Sequence, residues 1–505
     1  MHLFTPIWWF WSDPIATIVA KWFCSGKQSS LKDFFLGDRN IPWWAASFSG
    51  VATIVSGVSY LTAPGLAFST NYTYHQIRLG IPLALMILCV VIVPILFRLN
   101  VFSIYEYLER RFDRRVRLLA SGVFVVAKCF YLGVVVYAPS IVVAEITGFS
   151  LRSVVIATGI GTALYTVVGG MKAVIWTDTM QLAVLLLGLV AALAVLLGAI
   201  PGGLGEAWRM AEAAGKLDVV NVSFSLTETY TLWGGLIGGT FLLVSQWGSD
   251  QAEIQRFLTT RSIKQANGAL ISSMLASVGV GLALFFVGTC LFAFYSTFPE
   301  KGGLTVSSNR IFAKFIVEEL PSGLAGLLVA GVLAASMSTI SSVLNSLATV
   351  TSSDFLPYFA KRPPTVGLAR MLTLGYGVFI TILAGFGGQV GNLLEAALKV
   401  ASLFGGSMAG VFLLGMLSRR ATSQGAFYGM ILGVAFVIWL SLDTKVSFLW
   451  FAPFSAIVTF TTGCLISLLG KDRGARVSPD LTFQSPVKAA EARARALEQA
   501  GNMGS

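Results

Sequence analysis

The chain has 505 residues, of which 55% are hydrophobic and 12% charged, with a formal net charge of +11 and a mean hydropathy of +0.77. So apolar a composition excludes an ordinary soluble domain. The positive charge reads as membrane topology and contact with anionic lipid, because no nucleic-acid-binding module accompanies it. Five cysteines lacking metal or disulfide spacing, and only two histidines (His2 and His75), exclude a zinc site, a disulfide framework and histidine-based catalysis. No nucleophile elbow or phosphate-cradling loop is present, so the chain is not expected to be an enzyme.

In chain order, Pro6–Phe23 comes first, an apolar segment interrupted by Asp13-Pro14 and Lys21. It lacks the charged start and small-residue cleavage site of a signal peptide. Apolar runs of about 20 residues, the length that crosses a bilayer, then recur to the end of the hydrophobic part. They lie at Trp43–Phe68, Leu79–Phe97, Leu118–Ile146, Val154–Val168, Val174–Ile200, Trp233–Trp247, Ala269–Tyr295, Ser322–Val350, Leu368–Phe386, Leu393–Leu417, Gly425–Leu442 and Phe448–Leu469. The expected organisation is an N-terminal segment and linker (1–42), one polytopic membrane domain (43–470) and a polar tail (471–505), disordered or weakly helical. Arginine and lysine concentrate in alternate loops: Lys27, Lys32 and Arg39; Arg98 and Arg110–Arg117; Lys172; Arg256, Arg261 and Lys264; Lys361 and Arg362; Arg419 and Arg420; then Lys471, Arg473 and Arg476. Such alternation predicts that these loops and the C-terminus face the cytoplasm.

Polar residues at membrane depth carry the functional signal, because each is costly in hydrocarbon. Ala334–Ser346 holds six hydroxyl residues without a nearby charge. Ser338, Thr339, Ser341 and Ser342 lie on adjoining faces of one helix, where hard oxygens suit a small hard cation. The same hydroxyls equally suit close helix packing or bonding to their own carbonyls, and the residues alone leave both readings open. Asp178 reads as an ion ligand or as a first-turn helix carboxylate. Arg78 reads as an anion anchor or a snorkelling arginine. Lys399 lies one turn beyond Glu395, its ordinary intrahelical partner. Lys128 and Glu145 acquire no role. Two spans look built to break: Ser49–Ser59, followed by Pro64-Gly65, and the glycine-rich Gly234–Gly248. They occupy the first and sixth places, matching positions in two five-helix halves, and interrupted helices so placed mark the centre of an inverted-repeat transporter.

Five passages carry a resemblance to the sodium:solute symporter family: Phe34–Trp44, Tyr105–Phe112, Gly169–Asp178, Gln251–Arg256 and the Ser338 cluster. Tyr131–Ser140 looks closest to the branch of iodide, monocarboxylate and multivitamin transporters. The resemblance implies an all-α inverted-repeat core of the leucine-transporter type, five helices plus five with extra terminal helices, working by alternating access. It implies a sodium site made by the carbonyls of Ala52, Val55 and Ala335 with the hydroxyls of Ser338 and Thr339. It also implies a second sodium site, at Asp178, Ser338, Ser341 and Ser342, that only some members possess.

The substrate positions implied by the resemblance are Ser56, Ser59, Arg78, Leu243, Gln246 and Lys399, with Trp247 and Tyr137 beside them. Leu243 replaces a polar residue of the sugar carriers, and Tyr131 stands where sialic acid carriers have an arginine. Arg78 and Lys399 on opposite walls would suit an anion, with arginine clamping a carboxylate. The expectation is a sodium-coupled importer of a small organic anion, of the monocarboxylate or carboxylate-vitamin kind. Alternatives are a sialic acid or sugar importer, a channel, and a sensor on the same fold.

Overall fold

The structure is a computed structural model that describes residues 35, 39–99, 101–359, 365–386, 393–469 and 478–483. Among these every regular element is helical. The first span is broken into α1 (Trp43–Ile54) and α2 (Gly57–Ser69), which meet at 58°. α3 (Tyr72–Leu99), the short α4 (Glu106–Arg111) and α5 (Arg114–Thr147) follow. α6 (Leu151–Ala199) is one run of 49 residues and leads to the amphipathic α7 (Gly203–Ala213). Its 49 residues exceed the roughly 20 that a single crossing of a bilayer core needs. Its apolar stretches Leu151–Val167 and Met171–Ala199 correspond to the fourth and fifth predicted spans, with the join at Gly169-Gly170 helical.

A π-helical turn (Gly234–Gly238) opens α8 (Gly239–Gly248), and α9 (Gln251–Leu258) follows after a short break. The remaining helices are α10 (Ile263–Thr297), α11 (Ile311–Glu318), α12 (Ser322–Val350), α13 (Val366–Ala384), α14 (Leu393–Leu417), α15 (Ser423–Asp443) and α16 (Phe451–Leu469). Nine described helices are long and apolar enough to cross a membrane, or ten with the bent pair. The other two predicted spans, Leu151–Val167 and the glycine-rich α8 segment, are shorter. The segment Pro6–Phe23 lies outside the described residues.

Local chemistry sets these boundaries. Asp113, Ser150, Asp250, Ser262 and Thr422 each accept a backbone N–H at a helix start, satisfying a donor that the helix leaves open. The break after α1 is made by Val55, whose φ of −79° and ψ of 68° end the ladder, and by Ser56, which caps α2. Gly57 then brings α2 onto α12, since a Cβ there would lie 1.8 Å from Ser336 Oγ.

The sixth predicted span breaks elsewhere than expected. Its glycines remain helical and serve close packing: a Cβ at Gly235 would lie 2.1 Å from the Gln76 carbonyl, and one at Gly239 2.2 Å from that of Ile77. The discontinuity falls at Ser249-Asp250, where the chain turns into α9. Part of the polar tail is also docked. Leu481 and Thr482 are buried, Tyr107 donates to the Leu481 carbonyl at 3.0 Å, and the Phe483 N–H donates to Met416 at 2.7 Å.

Gly235→Ala should lower the melting midpoint, because a backbone carbonyl blocks the added methyl. Gly122→Ala, with nothing within 4 Å of its Cβ, should leave the midpoint unchanged or raise it. A thermal-denaturation comparison of the two variants checks the packing.

Candidate ion and substrate site

The end of α1 frees carbonyls that a continuous helix would have satisfied, and α12 meets them with hydroxyls. Ser338 Oγ donates to the Ala52 carbonyl at 3.0 Å and lies 3.0 Å from that of Ala335. Thr339 Oγ1 lies 3.0 Å from the Thr53 carbonyl and 3.2 Å from that of Ala335. All are fully buried, where an unmet polar group costs about 1–3 kcal/mol. The cluster brings together Ala52, Ala335, Ser338 and Thr339, with Val55 at the break itself. Thr53 joins them, unforeseen from the sequence. Its donor set is oxygen alone, suited to sodium, and no group of three or more His, Cys, Asp or Glu that could hold a metal occurs among the described residues.

Asp178 is fully buried deep within α6, so the first-turn reading is corrected. Its Oδ2 accepts from Ser49 Oγ at 2.6 Å and Ser342 Oγ at 3.4 Å, and lies 3.6 Å from Arg256 Nη1. Its Oδ1 has no hydrogen-bond partner among the described residues. Of the predicted second ion set, Ser342 therefore reaches Asp178. Ser338 and Ser341 instead direct their hydroxyls to carbonyls, Ser341 to that of Ser338 at 3.1 Å. Ser49 and Arg256 complete the group and were missed. The passage Gln251–Arg256 carried the signal, but nothing in it says that Arg256 crosses to α1.

A cavity of about 200 Å³ adjoins these groups. It brings together Ser56, Ser59, Arg78, Leu243, Gln246 and Trp247, joined by Tyr131, Lys128, Asp250 and Glu253. Trp247 is buried and stacks on Phe257, with ring centroids 5.9 Å apart. Arg78 turns inward: Nε donates to His75 Nδ1 at 3.0 Å and Nη1 to the Ser277 carbonyl at 3.0 Å. Snorkelling is thus corrected.

Two predicted residues lie apart. Tyr137 is half-buried, packed against the hydrophobic core without lining the cavity. Lys399 is exposed and lines a separate, shallower pocket with Glu395 and Lys445, so the expected pair of cations on opposite walls does not form. The second cation of the cavity is Lys128, ion-paired with Asp250.

Residues 34–433 match the sodium:solute symporter family. The sodium-dependent multivitamin transporter of Oryctolagus cuniculus is 34% identical over 83% of this chain and 67% of its own length. Sodium-coupled monocarboxylate transporter 1 of Homo sapiens is 30% identical over 84% and 70%. A solved structure of a sodium-coupled sialic acid symporter, in a substrate-bound outward-open state, superposes with a TM-score of 0.84 at 26% identity, covering 93% of this chain and 98% of that one.

Ser338→Ala or Thr339→Val should abolish stabilisation by sodium while costing little folded protein. Melting midpoints in sodium against potassium read this directly, and an undiminished sodium shift would refute the ion assignment.

Proposed function

The chain belongs to the sodium:solute symporter family, and from that premise we propose that it imports a small organic anion, a monocarboxylate or a carboxylate vitamin. Sodium is its coupling ion, held by the freed carbonyls of α1 and the hydroxyls of α12. The second ion position, at Asp178 with Ser342, belongs to the same proposal, as does the cytoplasmic orientation of the arginine-rich loops and the C-terminus. Each sodium charge crossing the membrane contributes about 2.3 kcal/mol per 100 mV, beyond its concentration gradient.

The observation that carries the anion reading is Arg78. Its guanidinium lines the cavity, its hydrogen bonds are to neutral groups, and no carboxylate lies within ion-pair distance among the described residues. A charge so enclosed is costly until it is paired. A ligand carboxylate supplies the pair, through bonds roughly twice as strong as neutral ones. Leu243, Ile77, Phe404 and Met408 supply an apolar wall suited to the rest of a small acid rather than to a polyhydroxylated sugar. The carboxylate relatives among the similar proteins point the same way.

Arg78→Gln should weaken carboxylate binding about tenfold or more, while the sodium-induced rise in melting midpoint survives. A panel of monocarboxylates, carboxylate vitamins, sialic acid, sugars, amino acids and halides, each scanned in sodium and in potassium, identifies the class. Stabilisation by a neutral sugar, or an unchanged carboxylate affinity in Arg78→Gln, would overturn the anion pocket.

A further inference from the structure

The wall of the cavity opposite in role to Arg78 carries a carboxylate that the anion reading leaves without a task. Glu253 lines the cavity and is 7% exposed. Its Oε2 lies 3.8 Å from Arg256 Nε, too far for a hydrogen bond, and both atoms lack a hydrogen-bond partner among the described residues. Arg256 is held off by α1: Nη1 donates to the Ser49 carbonyl at 2.5 Å and to Ser49 Oγ at 2.8 Å, beside Asp178 Oδ2 at 3.6 Å. Nη2 donates to the Ala252 carbonyl at 3.0 Å. One guanidinium therefore stands between two carboxylates, one facing the ion position and one facing the substrate cavity. The ion pair of Lys128 is with Asp250.

Within this group two cations, Arg256 and Lys128, face three carboxylates, Asp178, Glu253 and Asp250. One negative charge is unmatched within this group: Asp250 is paired with Lys128, so it falls on Glu253, with which Arg78, the cavity's other cation, makes no ion pair among the described residues. An anion entering the cavity meets that charge at low dielectric, where repulsion is strong. A cation at Asp178, whose Oδ1 is free to ligate it, removes the competing claim on Arg256. The guanidinium then serves Glu253, and closing the 3.8 Å gap satisfies both open atoms.

We propose that Glu253 makes anion binding conditional on the cation at Asp178, with Arg256 as the shared element that transmits occupancy between the two sites. Glu253 is thus a positioning and coupling residue that excludes the anion from the ion-free protein. This mechanism rests on the anion reading and on the ion position at Asp178. It supplies a coupling free energy between two distinct sites through one group with two arrangements.

The test measures binding of propionate, pantothenate and N-acetylneuraminate to the purified full chain by titration calorimetry, in sodium and in potassium. Wild type should bind one of these in sodium and bind it weakly in potassium. Glu253→Gln removes the excluding charge, and Asp178→Asn removes the competitor for Arg256. Both should raise affinity in potassium about tenfold, within the usual range of allosteric couplings. A mere ion-ligand loss would leave Asp178→Asn as weak in potassium as wild type. Should Glu253→Gln not fold, the Asp178→Asn result decides alone. Affinity in potassium that stays at the wild-type level in the folded variants overturns the proposal while sparing the anion pocket. Failure of all three acids to bind wild type in sodium overturns the anion reading and the relay together.

Discussion

Two carbonyls released at the end of α1, those of Ala52 and Thr53, belong to buried residues. A helix crossing hydrocarbon ordinarily meets its own polar groups, so the break at Val55 is tolerable only where a neighbour supplies partners. α12 supplies them through Ser338 and Thr339, at 3.0 Å each. The seam between α1 and α12 is therefore both a structural repair and a set of hard oxygens that a cation can take over. The other arrangements in the centre depend on it. Gly57 sets the approach of α2, Ser56 and Ser59 turn towards the cavity because α2 starts there, and Ser49 on α1 is placed to hold Arg256.

Charge is distributed along the cavity with comparable economy. Arg78 is left with neutral partners, whereas Arg256 has two carboxylates within 4 Å. An anion is drawn to Arg78 and, in the proposed relay, opposed by the Glu253 carboxylate while that group is uncovered. Where ion and substrate each bind better in the other's presence, that linkage is reciprocal. In the proposed relay a shared guanidinium provides this linkage without a large movement, because the atoms that must meet are already 3.8 Å apart.

Much of this was legible in the sequence. The twelve predicted spans match helical segments, and a break within Ser49–Ser59 and the hydroxyl face of α12 follow from residue types that are out of place in a bilayer. What the sequence hid depends on facing. Leu398 and Ala401 line the cavity, but Lys399 points about 100° away from Leu398 on the same helix, into a different pocket. Only the positions of the neighbouring helices decide which face is inward. The glycines at 235 and 239 resembled a breakage signal because glycine serves both hinges and close packing, and only the nearness of the Gln76 and Ile77 carbonyls separates the two. Arg256 with Ser49, and Lys128 with Asp250, pair residues more than a hundred positions apart, which no local pattern encodes.

On the proposed mechanism a cation held at the seam of α1 and α12 drives uptake of an anion held at Arg78. Its most direct measurement is uptake of a radiolabelled carboxylate into proteoliposomes under an inward sodium gradient, with potassium as the control. The expected result is transient accumulation above equilibrium in sodium, increased by an inside-negative potential if more sodium charge than substrate charge enters, and absent in potassium. Equal uptake in both cations, never exceeding equilibrium, would contradict it.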